Sequence, residues 1–330
     1  MEKRQLGKNG PMVSAIGLGC MSFAGFYGAT NETDSYATLA SAIDMGIDFL
    51  DTANVYGNGI SEKTIGSFLK QHPHEFTIAT KGGIFRDPET NVRGFNNSPE
   101  HLRTELEKSL TKLSVEHVAL YYIHRRDHNF PIEGVVETLV RFKDEGKIGG
   151  IGFSEISPAS LRRAHAVHPV MAVQSEYSLW TRVPELGMIQ TCKELGVAFV
   201  PFSPVGRGMF SDKTPDLSTF SDTDFRKKSP RFMEPNFSAN VKALAPFKKM
   251  AADMGTTTAS LAMAWVLAQG DFMIPIPGTR TEKHFREDVD GAALKLSAVD
   301  LAKIEQILPT GWAHGDRYSD LQLIGAERYC

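Results

Sequence analysis

The chain has few cysteines, no long hydrophobic run and no large excess of charge of either sign. Its three cysteines, Cys20, Cys192 and Cys330, form no closely spaced pair, so we expect neither a disulfide framework nor a zinc ribbon. No run of about 18 or more apolar residues occurs, so no membrane-spanning helix is expected. The net charge of −3 gives no reason to expect nucleic acid or an anionic membrane as a partner.

Further absences bear on the compartment and on metals. The first ten residues, MEKRQLGKNG, contain no apolar segment typical of a secretory signal, and the scattered thiols fit a reducing compartment, so a cytoplasmic location is expected. Neither an H-x-H motif nor a carboxylate-rich ligand set lies at a predicted strand end. This argues against a metal-dependent barrel hydrolase, and we expect no metal site.

The apolar residues follow one repeating arrangement. Short apolar runs alternate with amphipathic stretches of helical period from residue 16 almost to the C-terminus. The predicted strands cover residues 16–19, 49–52, 77–81, 120–124, 149–153, 172–174, 198–202 and 273–275. The predicted helices cover residues 34–45, 61–71, 99–113, 132–145, 158–166, 184–195 and 256–269, with a shorter one from Thr281. Such alternation implies parallel pairing, and eight units imply closure, so we predict the α/β class and a (β/α)8 TIM barrel, as a single domain over residues 1–330.

Three segments fall outside this repeat. Residues 3–15, with a Lys8-Asn9-Gly10 turn, predict a β-hairpin that covers the bottom of the barrel. Residues 205–255 contain a long polar loop and then a helix near residues 241–253, and a loop of this length is usually functional, for example as a lid. The C-terminal region predicts one further helix at residues 299–308 and an irregular tail. We therefore expect extra helices and long loops at the C-terminal face.

Four residues with chemical potential lie at or just beyond successive strand ends: Asp51, Tyr56, Lys81 and His124. Active sites of β/α barrels lie at this end of the strands, so we expect the four to converge. A free phenol has a pKa near ~10 and is a poor acid at neutral pH, but a neighbouring ammonium lowers that value. Lys81 can supply this charge and Asp51 can hold it, which suits proton donation to a carbonyl that His124 orients. A purely structural role would explain each residue alone, but it does not explain why all four lie at the same end of the strands.

Two segments are candidates for binding the phosphates of a nucleotide. The partial G-x-G-x-x-G at residues 17–22 follows a strand but opens no helix, so we do not interpret it as a dinucleotide fingerprint. Residues 202–209 are rich in glycine, which lets backbone N–H groups approach a pyrophosphate. Residues 275–280 follow the last strand and lead into a helix, where β/α barrels bind phosphate, and Arg280, Lys283 and His284 add positive charge.

Eight segments together resemble the aldo-keto reductase family over nearly the full chain. They are GLGCM, DTANVYG, ATKGG, IHRRD, GFSE, VQSEYS, FSPVGRG and IPGTRTEKHFRED. The resemblance implies a β/α barrel that uses NADPH, less often NADH, without a Rossmann domain. It implies that Tyr56 is the general acid and base, that Lys81 and Asp51 tune it, and that His124 orients the carbonyl.

The resemblance also implies a set of cofactor-binding residues. Ser154 and Gln174 would hold the nicotinamide carboxamide, and Phe202 would stack on its ring. Arg280 would contact the 2′-phosphate and Glu287 the adenine. Ser203, Gly206 and Gly208 would line the pyrophosphate. The remaining residues implied at this site are Pro204, Gly278, Thr279, His284 and Asp288.

The sequence departs from the family pattern at four of these positions or their neighbours. Phe202 replaces a common Tyr, and Glu155 a common Asn. His284 stands where Arg is common, and Asp288 where Asn is common. An imidazole cannot make the bidentate phosphate contact of a guanidinium, so His284 keeps NADH open as an alternative. NADPH is the predicted cofactor because Arg280 and Lys283 remain.

Six residues on loops at the catalytic face are candidates for the substrate pocket: Phe23, Tyr27, Phe85, Arg125, Trp180 and Trp312. Loop aromatics favour an apolar carbonyl substrate, although ordinary packing beneath long loops explains them equally well. Arg125 and Arg126 could bind an anionic substrate or pair with Asp127. The tail at residues 315–318 resembles a subgroup of the family and is expected to cover the pocket.

The predicted function is therefore NADPH-dependent reduction of aldehydes or ketones to alcohols, with a small carbonyl compound as substrate. One alternative is an NADH-linked alcohol, sugar or pyridoxal dehydrogenase of the same fold. A second is a Schiff-base aldolase with Lys81 as nucleophile. A third is a nucleotide-binding partner protein similar to the β subunits of potassium channels. The sequence makes no prediction of the oligomeric state.

Overall fold

The computed structural model describes residues 1–87, 89–90 and 92–329, so Cys330 lies outside the described residues. The strands in this part of the chain are β1 (Lys3–Gln5), β2 (Met12–Ser14), β3 (Leu18–Gly19), β4 (Phe49–Asp51), β5 (Thr77–Gly82), β6 (Ile84–Arg86), β7 (Arg93–Phe95), β8 (Leu120–Ile123), β9 (Ile151–Ser154), β10 (Ala172–Glu176) and β11 (Ala198–Phe202). Strands β3, β4, β5, β8, β9, β10 and β11 form one parallel sheet in that spatial order.

The sheet closes through the segment after β11 and its following helices. Isolated bridges join Phe199 to Met273 and Phe202 to Ile276 on one side. On the other side Gly17 N donates to Pro275 O, and Gly19 N to Pro277 O, both at 2.9 Å. The strand predicted at residues 273–275 therefore occupies its place but forms only bridges, because Pro275 and the nearby Pro277 lack the N–H that a ladder requires. The predicted (β/α)8 barrel is confirmed.

Helices cover the outside of the sheet and extend beyond the repeat. They are α1 (Glu32–Asp44), α2 (Ile60–Gln71), α3 (Pro99–Leu113), α4 (Ile132–Asp144), α5 (Pro158–Val167), α6 (Met188–Leu195), α7 (Asn236–Asp253), α8 (Thr258–Leu267), α9 (Glu282–Asp290), α10 (Ala298–Ile307) and α11 (Asp320–Leu323). In the described ranges, no helix is both long enough and apolar enough to cross a bilayer.

Two helix predictions need correction. The helix predicted at residues 184–195 is a 3-10 turn at Val183–Leu186 followed by α6, because Gly187 between them has φ 128° and interrupts the α-helix. Helix α7 begins at Asn236 rather than near residue 241. Its polar first turns are held by tertiary contacts: Phe237 is buried, and Asn240 Nδ2 donates to His314 O at 3.0 Å.

The N-terminal hairpin β1–β2 covers the bottom of the barrel, as predicted. Leu6 and Val13 are fully buried in a cluster with interior residues of the strands, among them Phe49 and Leu120. Arg4 Nη1 donates to Gly270 O at 2.8 Å, which fixes the hairpin to the last βα unit. The interior is thus filled with side chains below the catalytic face, and any ligand must enter from the opposite end.

The long segment at residues 205–235 contains short 3-10 turns rather than helices. They are Gly206–Gly208, Leu217–Thr219, Phe225–Lys228 and Pro230–Phe232. A further 3-10 turn, Cys20–Ala24, follows β3. These turns and the C-terminal tail lie at the face where the strands end, and they form much of the wall of the cavity described below.

Candidate active site

The order of the strands brings the four predicted catalytic residues together. Asp51 ends β4, and Lys81 lies in the neighbouring β5. His124 directly follows β8, the next strand in the sheet. Tyr56 lies in the connection between β4 and α2. Because the carboxyl ends of parallel strands meet at one edge, their side chains converge on one point.

The Lys81 ammonium is the centre of this group. It forms a buried ion pair with Asp51 and donates to Thr52 O at 2.7 Å. It lies 3.5 Å from Tyr56 Oη. Asp51 also accepts a hydrogen bond of 2.7 Å from Gln174 Nε2. The carboxylate and the amine are therefore held in place from several sides, as a fully buried charge pair requires.

The backbone after Tyr56 sets the position of the phenol. Gly57 has φ +60°, and a Cβ there would lie 2.9 Å from Ala24 Cβ, so a larger residue would be both strained and crowded. The Tyr56 ring packs edge-on against His124, with centroids 5.8 Å apart, and against Phe26 at 6.0 Å. The phenol is thus directed towards the end of the barrel by its turn and by two rings.

The titration behaviour of Tyr56 differs from the expectation based on the sequence. Burial, reinforced by the negative charge of Asp51, raises the pKa of Tyr56 well above its ordinary value. The positive charge of Arg125 opposes this rise. The Lys81 ammonium, 3.5 Å from Tyr56 Oη, is already engaged by Asp51. The phenol is therefore protonated at neutral pH and able to donate its proton.

His124 and the ion pair are also shaped by burial. Burial, together with the positive charges of Arg125 and Lys81, lowers the pKa of His124 well below its ordinary value, so the imidazole is neutral. Its Nδ1 atom is buried without a hydrogen-bond partner. The neutral imidazole and the protonated phenol are both uncharged, and each can donate a hydrogen bond to a ligand oxygen.

A cavity of about 730 Å³ opens above these residues. Asp51, Tyr56 and His124 line its floor together with Ser154 and Gln174. Its volume is in the range of sites that enclose organic ligands. Among the described residues, no group of three or more His, Cys, Asp or Glu side chains could hold a metal ion.

Both candidate phosphate-binding segments reach this cavity. From residues 202–209, Phe202, Ser203, Pro204 and Gly208 line it. Gly206 does not line it, but it has φ +60° and its Cβ would lie 2.8 Å from the Phe210 ring, so the turn needs glycine. From the second segment and the start of α9, the lining residues are Gly278, Thr279, Arg280, Lys283, His284, Glu287 and Asp288.

The charges at this end of the cavity suit a nucleotide. Arg280, Lys283 and His284 lie around the N-terminus of α9, where backbone N–H groups and the helix dipole favour an anion. Arg280 Nη1 donates to Ala29 O at 3.0 Å, which orients its guanidinium. Burial, together with the charge of Glu287, raises the pKa of Asp288 well above its usual range. A protonated carboxyl both donates and accepts hydrogen bonds, as the amide of asparagine does.

Four of the predicted substrate-pocket residues lie away from the cavity, and these predictions are corrected. Phe23 and Trp180 are buried in the hydrophobic core, Trp180 against Phe210 and Phe232. Trp312 Nε1 donates to Leu179 O at 2.8 Å beside them. Phe85 packs against His101 instead, because alternate residues of a strand face opposite sides and its neighbours Ile84 and Arg86 face the cavity.

Tyr27 and Arg125 do line the cavity, and several residues that the sequence reading missed join them. They are Phe26, Ile84, Arg86, Arg93 and Gln322, and Tyr318 of the tail that was expected to cover the pocket lines it as well. Residues 84–86 and 93–95 pair as the antiparallel strands β6 and β7, which the β/α repeat did not predict. The turn-forming residue types between Arg86 and Arg93 in the sequence were the signal that could have predicted this pair of strands. Arg126 points elsewhere, with its Nε 3.6 Å from Glu327.

Comparison with known proteins identifies the family of the chain. A profile of the Aldo/keto reductase family matches residues 15–309. The chain belongs to the aldo/keto reductase family. It is 42% identical over 318 residues to "Probable aldo-keto reductase 1" of Glycine max, covering 95% of this chain and 91% of that protein. It is 38% identical over 311 residues to "Aldo-keto reductase yakc [NADP(+)]" of Schizosaccharomyces pombe, covering 93% of this chain and 92% of that protein.

Solved structures of family members share the fold. The glycerol dehydrogenase AKR11B4 from Gluconobacter oxydans superposes with a TM-score of 0.85 at 27% identity, covering 93% of this chain and 94% of that one. The aldo-keto reductase AKR11C1 from Bacillus halodurans superposes with a TM-score of 0.79 at 24% identity, covering 98% and 99%. This aldo/keto reductase is therefore an oxidoreductase of the family by sequence and by fold.

Proposed function

We propose that the protein reduces aldehydes or ketones to alcohols with NADPH, and that Tyr56 donates the proton to the carbonyl oxygen. The observation that carries the proposal is the position of Tyr56. Its protonated phenol lies 3.5 Å from the buried Lys81 ammonium, beside a neutral His124, at the floor of the cavity. A protonated phenol in this position can act as a general acid towards a carbonyl oxygen.

The residues of the cavity support the choice of cofactor. A reduced nicotinamide nucleotide would supply the hydride that the carbonyl carbon receives. Arg280 and Lys283 offer positive charge for a 2′-phosphate, and the relative from Schizosaccharomyces pombe is named as an NADP(+) enzyme. His284 is the residue that keeps NADH open, since its imidazole cannot replace the fork of an arginine.

The protein groups account for the proton transfer. His124 would hold the carbonyl oxygen by donating a hydrogen bond, and Tyr56 would transfer its proton to that oxygen as the carbon is reduced. The phenolate that remains would be stabilised by Lys81 and by the charge of Arg125, and water would reprotonate it. In the reverse reaction the same phenolate accepts the proton of an alcohol.

The aldolase alternative is less well supported. Lys81 is fully buried, and its Nζ already contacts Asp51, Thr52 O and Tyr56. It is not among the residues that line the cavity. A Schiff base would need this amine to be neutral, released and exposed to the substrate.

The test is the oxidation of NADPH and of NADH by the purified protein with a panel of aldehydes and ketones. Tyr56→Phe should lower kcat by roughly 10²–10⁴-fold, the usual contribution of a general acid. The control is Tyr36→Phe on α1, a tyrosine whose hydroxyl donates to Glu32 away from the cavity. Undiminished turnover in Tyr56→Phe would disprove the role of Tyr56. Tight nucleotide binding without turnover of any carbonyl would favour a partner protein instead.

A further inference from the structure

Two arginines face each other across the hairpin that follows the lysine strand. Arg86 and Arg93 are paired in the register of β6 and β7. Directly opposite residues of an antiparallel pair project from the same face, and both of these line the cavity. Like charges in this arrangement destabilise a hairpin.

A third arginine lies next to them at the catalytic centre. Arg125 follows His124 in the chain, is only 7% exposed and lines the same cavity. Its Nη1 donates to His124 O at 2.6 Å and to Ser154 Oγ at 3.0 Å. These contacts fix the guanidinium beside the residues that would hold the carbonyl.

Neither Arg93 nor Arg125 has a carboxylate partner in the described part of the chain. Their Nε atoms are both buried without a hydrogen-bond partner. Arg93 Nη2 donates to Ile324 O at 2.8 Å, and that contact carries no compensating charge. The charge of Arg125 acts on the Glu155 carboxylate, but that carboxylate is bound by Arg317. Charged groups withdrawn from water are normally paired, so the buried Arg125 and the half-buried Arg93 lack a compensating anion in the described part of the chain.

The electrostatics of Arg93 agree. Burial, then the positive charges of Arg125 and Arg86, lowers the pKa of Arg93 to about 10. The protein thus tolerates repulsion among these groups at the entrance to its catalytic residues. An anion bound between them would offset the repulsion through charge-assisted hydrogen bonds.

We propose that the substrates of this enzyme carry an anionic group, a carboxylate or a phosphate, which Arg93 and Arg125 bind beside Arg86 while the carbonyl lies at Tyr56 and His124. The inference rests on the proposed carbonyl reduction and adds the class of substrate. It replaces the expectation, drawn from loop aromatics, that the substrate is simply apolar.

The phosphates of the nucleotide are a poor explanation for the cluster. These arginines belong to the connections after β5 and β8, the third and fourth strands of the barrel. The glycine-rich loop and Arg280 follow the seventh and eighth strand positions, on the opposite side of the barrel. A nucleotide held there leaves the arginine cluster for the other ligand.

The experiment compares pairs of aldehydes that differ in charge. In the wild-type enzyme with NADPH, 4-carboxybenzaldehyde should have a kcat/KM at least about tenfold above that of its neutral methyl ester, because the acid gains at least one hydrogen bond between charged groups. Most of the difference should lie in KM. Glyceraldehyde 3-phosphate against glyceraldehyde tests phosphate in the same way. Whichever pair shows the larger ratio identifies the anion. Ratios near one in both pairs would overturn the inference and leave the proposed reduction intact.

Variants assign the effect to the cluster. Arg93→Met should lower the acid-to-ester ratio by about 10–100-fold, the value of one or two charged hydrogen bonds, and Arg93→Lys should restore part of it. The control is Arg163→Met, an exposed arginine of α5 that pairs with Glu133, which should leave the ratio unchanged. An unchanged ratio in Arg93→Met would contradict the inference.

A binding measurement covers the case in which the variant does not fold. With the wild-type enzyme, benzoate should compete with the aldehyde at least about tenfold more tightly than benzamide. Equal inhibition by the two would count against the cluster as an anion site. If the enzyme reduces no carbonyl compound at all, charged or neutral, the proposed function fails and the inference fails with it.

Discussion

Glu176 at the end of β10 accepts a hydrogen bond of 2.6 Å from Arg207, and both side chains are buried. Arg207 lies within the glycine-rich loop, with φ +58°, and its Nη1 also donates to Arg317 O in the C-terminal tail at 2.7 Å. The same carboxylate therefore holds the candidate phosphate-binding loop and the tail that covers the cavity.

Glu176→Gln should destabilise the protein and weaken nucleotide binding together. Breaking a buried ion pair from one side costs about 3–5 kcal/mol, and we expect the lower end because glutamine keeps one acceptor oxygen. Thermal unfolding and titration of nucleotide fluorescence measure the two effects. The control is Glu305→Gln, which removes a surface contact to Arg182 and should change neither by much. A stable variant with unaltered affinity would show that the loop is held by other contacts.

The pH profile of reduction should lack limbs in the neutral range. The pKa of Tyr56 is raised above 10, so the phenol keeps its proton as the pH rises. The pKa of His124 is lowered below 6.5, so the imidazole stays neutral as the pH falls. We expect kcat for reduction to be flat from about pH 6.5 to 9, measured at constant ionic strength. A limb with its midpoint near neutrality would contradict one of these two shifts.

Local signals in the sequence were sufficient for much of the fold. Helix α3 has the predicted bounds because Ser98 caps it and Pro99 occupies its first turn. The convergence of Asp51, Lys81 and His124 followed from strand order alone. What failed depended on distant packing: Phe85 and Trp312 are aromatic residues at the correct face, and only the register of β6 and the contacts of the tail show that they turn away.

Asp288→Asn should stabilise the protein more at high pH than at low pH. The folded pKa of Asp288 is raised above its unfolded value, so the folded state binds more protons between the two values. Stability is therefore lost as the pH rises through that window, and an asparagine, which does not titrate, avoids the loss. The melting temperature of the variant minus that of the wild type should increase from pH 4 to pH 8.

The matched control for this change is Asp290→Asn, at an exposed position of the same helix. Its effect on the melting temperature should be small at both pH values. A difference between Asp288→Asn and the wild type that is constant with pH would mean that the Asp288 carboxyl ionises as freely in the folded protein as in the unfolded chain. Retained nucleotide affinity in Asp288→Asn would further support the comparison of a protonated carboxyl with an amide.

Gly57→Ala separates the position of Tyr56 from general stability. Gly57 and Gly146 both have positive φ, 60° and 75°, so alanine at either costs about 1–2 kcal/mol of backbone strain. A Cβ on Gly146 meets nothing within 4 Å, whereas one on Gly57 meets Ala24 Cβ at 2.9 Å. Only Gly57→Ala must displace the turn that carries the Tyr56 phenol. We therefore expect both variants to lose stability, Gly57→Ala somewhat more, and kcat to fall in Gly57→Ala alone. Equal kcat values in the two variants would show that the turn relaxes without moving Tyr56.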